Sequence, residues 1–171
     1  MDIEKYYIIK PDFIHMSGYT DRNGKCCTLV EELHRKLVVD RSPLEILADT
    51  IRCIGFDLNS AIANAKAILG NITMCPIQVD PIHNICIFAT KSAKNEDAMW
   101  FNPNHIVRTN GYYLKTHVIL TNGRILTVPC KVSAFNNKLQ NADQLRKISK
   151  AIGNDPIGFL LDPKRFRLQH S

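Results

Sequence analysis

The chain has 171 residues, 45% of them hydrophobic, so it is long and apolar enough to bury one core, and an intrinsically disordered protein is excluded. Its formal net charge is +6, and no uncharged apolar run reaches the roughly 18 residues of a transmembrane helix, so we expect no membrane partner. The first residues are acidic and lack a hydrophobic region, so we expect no secretory signal.

The positive charge is uneven along the chain. Residues 1–80 hold 9 basic and 11 acidic side chains, residues 81–123 hold 4 and 2, and residues 124–171 hold 9 and 3. Positive charge concentrated toward one end favours a polyanionic partner. The 6 cysteines form no Cys-x-x-Cys pair and have no histidines at zinc-ligand spacing, so we expect reduced core cysteines and no metal site.

The N-terminal quarter is predicted to contain strands. The apolar run at 6–9 indicates an edge strand, and Asp-Arg-Asn-Gly at 21–24 indicates a turn. Residues 26–39 fit neither the helical nor the strand period cleanly, so both structures stay open there. Their β-branched residues favour a strand at each end.

A pair of helices is predicted over residues 43–69. Ser42 and Glu45 form a capping box around Pro43, and a second helix follows after Asp57. The pair has two interpretations, a DNA-reading helix-turn-helix or a hairpin that packs on a sheet. The second helix is Ala-rich and carries one cation, Lys66, which favours packing.

Two β-hairpins are predicted next. In the central hairpin, strands at 77–79 and 85–90 flank an Asp-Pro turn, and the second strand is apolar on both faces, so we expect it to be covered on both sides. Asn-Gly at 122–123 predicts a two-residue type I′ turn, with Leu120 opposite Ile125. This second hairpin also has apolar residues on both faces, so we expect helices or another subunit to cover it.

The C-terminal part is predicted to be one long helix over 134–152, followed by a short, basic, mobile tail at 154–171. Four cations lie outside the apolar stripe of this helix, and they face either solvent or phosphate: Lys138, Arg146, Lys147 and Lys150. The predicted fold class is α+β, with antiparallel β-hairpins packed against the helical pair and the C-terminal helix in a single domain, residues 1–153.

Catalytic signatures are absent from the sequence. It has no P-loop, no Gly-x-Gly-x-x-Gly, no Gly-x-Ser-x-Gly and no His-Glu-x-x-His, and its histidines are scattered over unlike elements. We therefore expect no enzyme activity and no cofactor.

An ordered set of residues resembles a known family. It begins at Ser-Pro-Leu-Glu-Ile-Leu (42–47) and Arg52 to Gly55, and it continues through Pro76, Val79-Asp80-Pro81, Phe88, Thr90 and Trp100 to Thr116-His117-Val118, Thr121-Asn122-Gly123-Arg124, Val128-Pro129, Ser133 and Phe135. In this set, which covers about half of the chain, the sequence resembles the competence transcription factor (ComK) family of Gram-positive bacteria.

The resemblance implies a cytoplasmic, nucleoid-associated activator that binds paired A/T-rich boxes of double-stranded DNA from the minor groove as a dimer or tetramer. Minor-groove recognition of A-tracts suits Arg and Lys side chains. We expect phosphate or minor-groove contacts from the cations Lys91, Lys94, Arg124 and Lys131, with Arg52 and Lys66 behind them.

The sequence departs from the family at two places. Ser60, Ala61 and Ile62 stand where relatives carry a Gly-(Arg/Lys)-Lys cluster. The alternative function is therefore a protein-interaction regulator that keeps the fold with weak or lost DNA binding. Residues 159–164 are similar to a Phe-x-Leu-Tyr-Pro-Lys segment that hands such regulators to a degradation adaptor, with Asp162 in place of the aromatic residue.

Overall fold

The fold is of the predicted α+β class. The computed structural model describes residues 3–171, so the first two residues of the predicted domain lie outside the described part. Within it, the strands are β1 (Ile3–Glu4), β2 (Phe13–Thr20), β3 (Cys26–Glu32), β4 (Lys36–Val39), β5 (Ile77–Asp80), β6 (Ile85–Ala89), β7 (Met99–Phe101), β8 (Ile106–Tyr112), β9 (Lys115–Leu120) and β10 (Ile125–Val128). The helices are α1 (Pro43–Cys53), α2 (Leu58–Leu69), α3 (Val132–Asn154), α4 (Pro156–Leu161) and α5 (Pro163–His170).

The strands form a large and a small sheet. The large sheet has seven strands in the order β1-β4-β3-β2-β7-β6-β5, and all its pairs are antiparallel except β1 with β4. The small sheet has three antiparallel strands in the order β10-β9-β8. One face of the large sheet packs on α1 and α2, and the other packs on the small sheet and α3.

The central hairpin confirms the prediction of a strand covered on both sides. Ile85 and Ile87 of β6 belong to the core beneath α1 and α2. Phe88, on the opposite face, packs with Phe101 and Phe135 at ring-centroid distances of 5.4 to 5.8 Å. These aromatic contacts join the large sheet to α3.

The helical pair follows its predicted caps. The Glu45 N–H donates to Ser42 Oγ and the Ser42 N–H donates to Glu45 Oε1, both at 3.2 Å, which completes the capping box. The Ser60 N–H donates to Asp57 Oδ1 at 2.7 Å at the start of α2. Ala65 and Ile68 of α2 are buried, as the packing interpretation predicts.

The N-terminal prediction is correct in one part and wrong in another. Residues 26–39 form strands at both ends, as favoured. Residues 6–9 are not a strand, and the Ile9 N–H donates instead to Thr50 Oγ1 of α1 at 3.0 Å. The apolar run predicted a strand paired in a sheet. Its apolar residues are instead explained by Tyr7 and Ile9, whose side chains are buried in the core.

The turn between β9 and β10 differs from the predicted type I′ turn. Within this loop only Gly123 has a positive φ, +85°, whereas a type I′ turn needs two such residues. The Leu120 N–H donates to the Arg124 carbonyl at 2.9 Å, which closes a three-residue loop with a bulge at Gly123. The register shifts by one residue, so Ile119 instead of Leu120 lies opposite Ile125.

Residues 154–171, which were predicted to form a short mobile tail, contain two short helices. Pro156 and Pro163 each occupy the first turn of a helix, where a missing N–H costs no hydrogen bond. The carboxylates of Asp155 and Asp162 cap the two helices. The prolines that suggested interruptions are therefore helix starts.

The tail also contributes to the core. Phe166 of α5 is 4% exposed and packs with residues of α2 and α3. Its ring lies 5.7 Å from that of Phe159 in an edge-to-face arrangement. Among residues 3–171, no helix is both long and apolar enough to cross a bilayer.

Candidate nucleic-acid interface

Two of the six predicted DNA-contacting cations lie at the start of α3. Lys131 is the N-cap residue of α3, and Lys91 follows β6. Burial raises the pKa of the Cys130 thiol, and the positive charges of Lys138 and Lys91 oppose this increase, so both ammonium groups lie near Cys130. Lys131 at the start of α3 and Lys91 after β6 therefore lie in the same part of the surface.

Lys138, the other cation near Cys130, has an environment that the sequence left open. Its Nζ donates to the Thr90 carbonyl at 2.5 Å, which ties α3 to the end of β6. Lys138 is half-buried, whereas Lys131 is exposed. Lys131 is therefore free to contact a partner, while Lys138 also holds two elements together.

Three other predicted cations belong to different parts of the surface. Lys94 lines a cleft of about 280 Å³ together with residues of β2 and the start of α1. Arg52 is on α1, with its guanidinium 3.9 Å from Asp49, and Lys66 is on α2. The sequence could not show this separation, because it depends on which face of the large sheet each helix covers.

Arg124, the sixth predicted contact, is part of an internal ion pair. Its Nη1 donates to Glu31 Oε1 at 2.8 Å, and Asn122 Nδ2 donates to the same oxygen at 3.0 Å. Glu31 is 3% exposed, while the Arg124 side chain is 41% exposed. The β9–β10 loop is thereby fixed to β3, and Arg124 can offer a partner only the exposed part of its guanidinium.

His15 completes this buried cluster. Its Nε2 lies 2.5 Å from Glu31 Oε2, and its buried Nδ1 has no hydrogen-bond partner among residues 3–171. Burial lowers the pKa of His15 below its usual value, although Glu31 opposes this. Burial alone would raise the pKa of Glu31, but the hydrogen bonds from His15 and Asn122 and the charge of Arg124 hold it below its usual value.

The small sheet has one covered face and one open face. Val118, Leu120 and Val128 are buried in the core that contains Phe135 of α3. On the other face, Ile125 is 60% exposed. Helices of the same chain therefore cover only one side of the Asn-Gly hairpin, and cover from a second subunit stays a prediction.

The open face carries cations. Register places Arg108 opposite Ile119, Asn110 opposite His117, and Tyr112 opposite Lys115, so these residues alternate with the buried ones. Both Arg108 and Lys115 are exposed. Neither of them was among the cations predicted from the sequence.

A sequence signal that could have identified this region is its lack of carboxylates. Between Asp97 and Asp143 there is no Asp or Glu, and the intervening residues include five cations: Arg108, Lys115, Arg124, Lys131 and Lys138. This stretch forms β7 of the large sheet, the whole small sheet and the first half of α3. It therefore presents cations that acidic neighbours in the sequence do not neutralise.

Residues 60–62, which replace the basic cluster of the family, lie on α2. Ser60 is exposed, and its Oγ donates to Asp57 Oδ2 at 3.1 Å. Ala61 and Ile62 are half-buried and pack against the core beneath the large sheet. These positions supply packing in this chain, and the cations of the family cluster are missing.

The described residues contain no cluster of three or more His, Cys, Asp or Glu side chains arranged to hold a metal ion. The six cysteines are free thiols, and Cys27 and Cys86 are buried. Burial raises the pKa of both of these thiols, to about 12 for Cys86. Such buried, protonated thiols are poor nucleophiles.

Comparison with known proteins supports the resemblance seen in the sequence. The chain matches the ComK protein family over residues 3–152. It is 27% identical over 129 residues to the competence transcription factor of Bacillus subtilis (strain 168). The aligned residues cover 72% of this chain and 65% of that relative. No solved structure matches it. Since the family match extends over most of its length, the chain belongs to the ComK protein family.

Proposed function

We propose that this protein is a DNA-binding transcriptional activator of competence-type genes. It recognises A/T-rich boxes in double-stranded DNA, largely from the minor groove, and acts as a dimer or tetramer. Membership of the ComK family and the similarity to a competence transcription factor support the regulatory role. The observation that carries DNA binding is the carboxylate-free stretch between Asp97 and Asp143.

The physical basis is electrostatic. Each phosphate that a Lys or Arg neutralises releases condensed counterions, which favours binding at low salt. The narrow minor groove of A/T-rich DNA concentrates negative potential and so favours inserted cations. Among the described residues, no buried carboxylate holds Arg108, Lys115 or Lys131 of this stretch, or Lys91, which precedes it.

Fluorescence anisotropy of labelled duplexes tests the proposal. The full chain is titrated into a duplex with two A/T-rich boxes and into one of equal length and mixed composition, between about 50 and 200 mM salt. We expect tighter binding to the A/T-rich duplex. For each tenfold increase in salt concentration, the logarithm of the association constant should fall by about 0.9 for every phosphate contact. Equal affinities at every salt concentration would reject A/T recognition.

A second candidate function is a protein-interaction regulator with weak or lost DNA binding. Two observations favour it: Ser60, Ala61 and Ile62 replace the family's basic cluster, and the tail helix α4 exposes Leu160 and Leu161. Exposed apolar groups of this kind are typical of protein interfaces. Sedimentation velocity and the same titration separate the two functions, since a stable dimer without DNA affinity would favour the second.

Capture by a degradation adaptor through residues 159–164 is part of the proposal. Leu160 and Leu161 are 77% and 80% exposed on α4 and are available to such a partner, whereas Phe159 packs on Phe166. Replacing both leucines with Asp should abolish co-sedimentation with the purified adaptor. Unchanged co-sedimentation would exclude this segment.

A further inference from the structure

The tip of the β8–β9 hairpin, defined as Tyr112, Tyr113 and Leu114, exposes three consecutive large apolar side chains. Their exposed fractions are 57%, 87% and 67%. Single exposed apolar residues are common on protein surfaces, but a contiguous group at the end of a hairpin is a feature of binding surfaces.

The backbone of the tip is strained. Tyr113 has a φ of +53°, a left-handed conformation that bulky L-residues rarely adopt and that Gly, Asn or Asp would adopt more easily. The ring of Tyr113 is almost fully exposed, so core packing does not compensate for this strain. The two-residue loop between the paired Tyr112 and Lys115 requires a positive φ, which glycine or asparagine usually supplies, so a tyrosine at this position is the unusual feature.

The rings of the tip have different surroundings. The Tyr112 ring lies 5.5 Å from the His117 ring and 4.7 Å from the Tyr113 ring, so it is supported on the open face of the small sheet. Among the described residues, Tyr113 has no aromatic neighbour other than Tyr112. Tyr113 and Leu114 are therefore the groups that a partner would meet first.

Charge complementarity indicates the partner. Lys115 lies opposite Tyr112, and Arg108 is on the same face of β8, two alternate positions from Tyr112. No carboxylate occurs between Asp97 and Asp143 to repel a polyanion. Apolar groups flanked by cations match duplex DNA, in which base faces lie between two rows of phosphates.

We infer that the hairpin tip is a wedge that inserts Tyr113 and Leu114 at a base step of A/T-rich DNA while Arg108 and Lys115 contact the flanking phosphates. This inference rests on the proposed DNA binding and adds to it a specific contact and a DNA distortion. Pyrimidine–purine steps such as T-A unstack easily, so A/T-rich boxes offer sites at which a wedge can kink the duplex.

The test compares the full-length protein with two tip variants, Tyr113→Gly and Leu114→Ser, and with the control Leu168→Ser on α5, which is 81% exposed in the wild type. Anisotropy gives the affinity, energy transfer between dyes at the duplex ends gives the bend, and 2-aminopurine at a T-A step reports unstacking. Light scattering without DNA gives the oligomeric state.

We expect the wild type and Leu168→Ser to bend the duplex equally. Each tip variant should bind the A/T-rich duplex about tenfold more weakly and lose the bend and the 2-aminopurine signal. Tyr113→Gly should also raise the melting temperature, because glycine adopts a positive φ without strain. A gain of stability with a loss of binding cannot result from misfolding.

Two results would overturn the wedge while DNA binding stands. In one, the tip variants bind and bend the duplex as the wild type does. In the other, they bind and bend normally but change the oligomeric state, which would make the tip a self-association contact. Failure of the wild type itself to prefer the A/T-rich duplex would instead overturn the proposed function, and the wedge with it.

Discussion

At the scale of single residues, the His15–Glu31–Arg124 cluster illustrates what a sequence hides. Arg124 stands 93 positions from Glu31, and only the fold brings them together. Arg124, a cation in a turn, therefore suggested a DNA contact, because the sequence does not show that Glu31 of β3 binds it. The capping box at Ser42 was predictable because its partners are three residues apart.

This cluster makes stability depend on pH. Because burial lowers the pKa of His15, the unfolded chain takes up a proton below pH of about 6.5 more readily than the folded chain, so stability is lost as the pH falls through this range. We expect His15→Gln, whose amide can still donate to Glu31, to reduce this loss. Urea unfolding at several pH values measures it.

The exposed His34 offers a matched control for that experiment. His34→Gln should keep the wild-type pH dependence. Glu31 is retained in all three proteins, and its own contribution is lost only at more acidic pH, so the two contributions are separated by the pH range in which they are lost. Identical pH profiles for His15→Gln and the wild type would show that His15 does not titrate with folding.

At the scale of elements, local signals predicted most helices and strands but not the loop geometry. Asn-Gly correctly indicated a hairpin, but the register depends on one φ angle that the dipeptide does not determine. In the tail, Asp-Pro pairs occur at the starts of both helices, and the same pairs also suit turns. In the folded protein, Phe166 of the second tail helix packs on α2 and α3, a contact that the local sequence does not show.

Two glycines test the loop conformation. Gly123 has a φ of +85°, whereas Gly153 is inside α3 with open space around its Cβ position. We expect Gly123→Ala to lower the free energy of unfolding by about 1 kcal/mol and Gly153→Ala to raise it by up to about 1 kcal/mol. Thermal unfolding of both variants checks the signs, and stabilisation by Gly123→Ala would contradict the bulged loop.

The tail helices can be tested through Phe166. We expect Phe166→Ala to lower the free energy of unfolding by about 3 kcal/mol or more, because a buried aromatic ring leaves a cavity. Leu168→Ala, at an 81% exposed neighbour on α5, should change it by less than about 0.5 kcal/mol. Chemical unfolding measures both, and equal effects would mean that the tail does not pack on the domain.

At the scale of the whole molecule, the large sheet lies between the α1–α2 pair on one face and the small sheet with α3 on the other. Composition predicted one core-forming chain and its basic C-terminal part, but the cations most accessible at the small sheet, Arg108 and Lys115, were not among the predicted contacts. Arg108 and Lys115 share a face because of the register between β8 and β9. Sequence periodicity shows which residues of one strand share a face, but it does not give the register between two strands.

This arrangement predicts where charge matters for DNA affinity. We expect the triple variant Lys91→Gln, Lys115→Gln and Lys131→Gln to bind the A/T-rich duplex more weakly. Its salt slope should be smaller by about 0.9 for each phosphate that the variant no longer neutralises.

The matched control removes the same number of charges elsewhere, as Lys5→Gln, Lys147→Gln and Lys150→Gln, at positions that are all exposed. Its affinity and salt slope should stay close to those of the wild type. Equal decreases in both triple variants would indicate a response to net charge alone.

The carboxylate-free stretch has a consequence for protease footprinting. Between Asp97 and Asp143, every charged side chain is a site for trypsin and none is a site for enzymes that cleave at Asp or Glu. Bound DNA should therefore slow tryptic cleavage at Arg108, Lys115 and Lys131 in the native protein. An acid-specific protease would leave this stretch as one peptide, on which ultraviolet cross-links to DNA should concentrate.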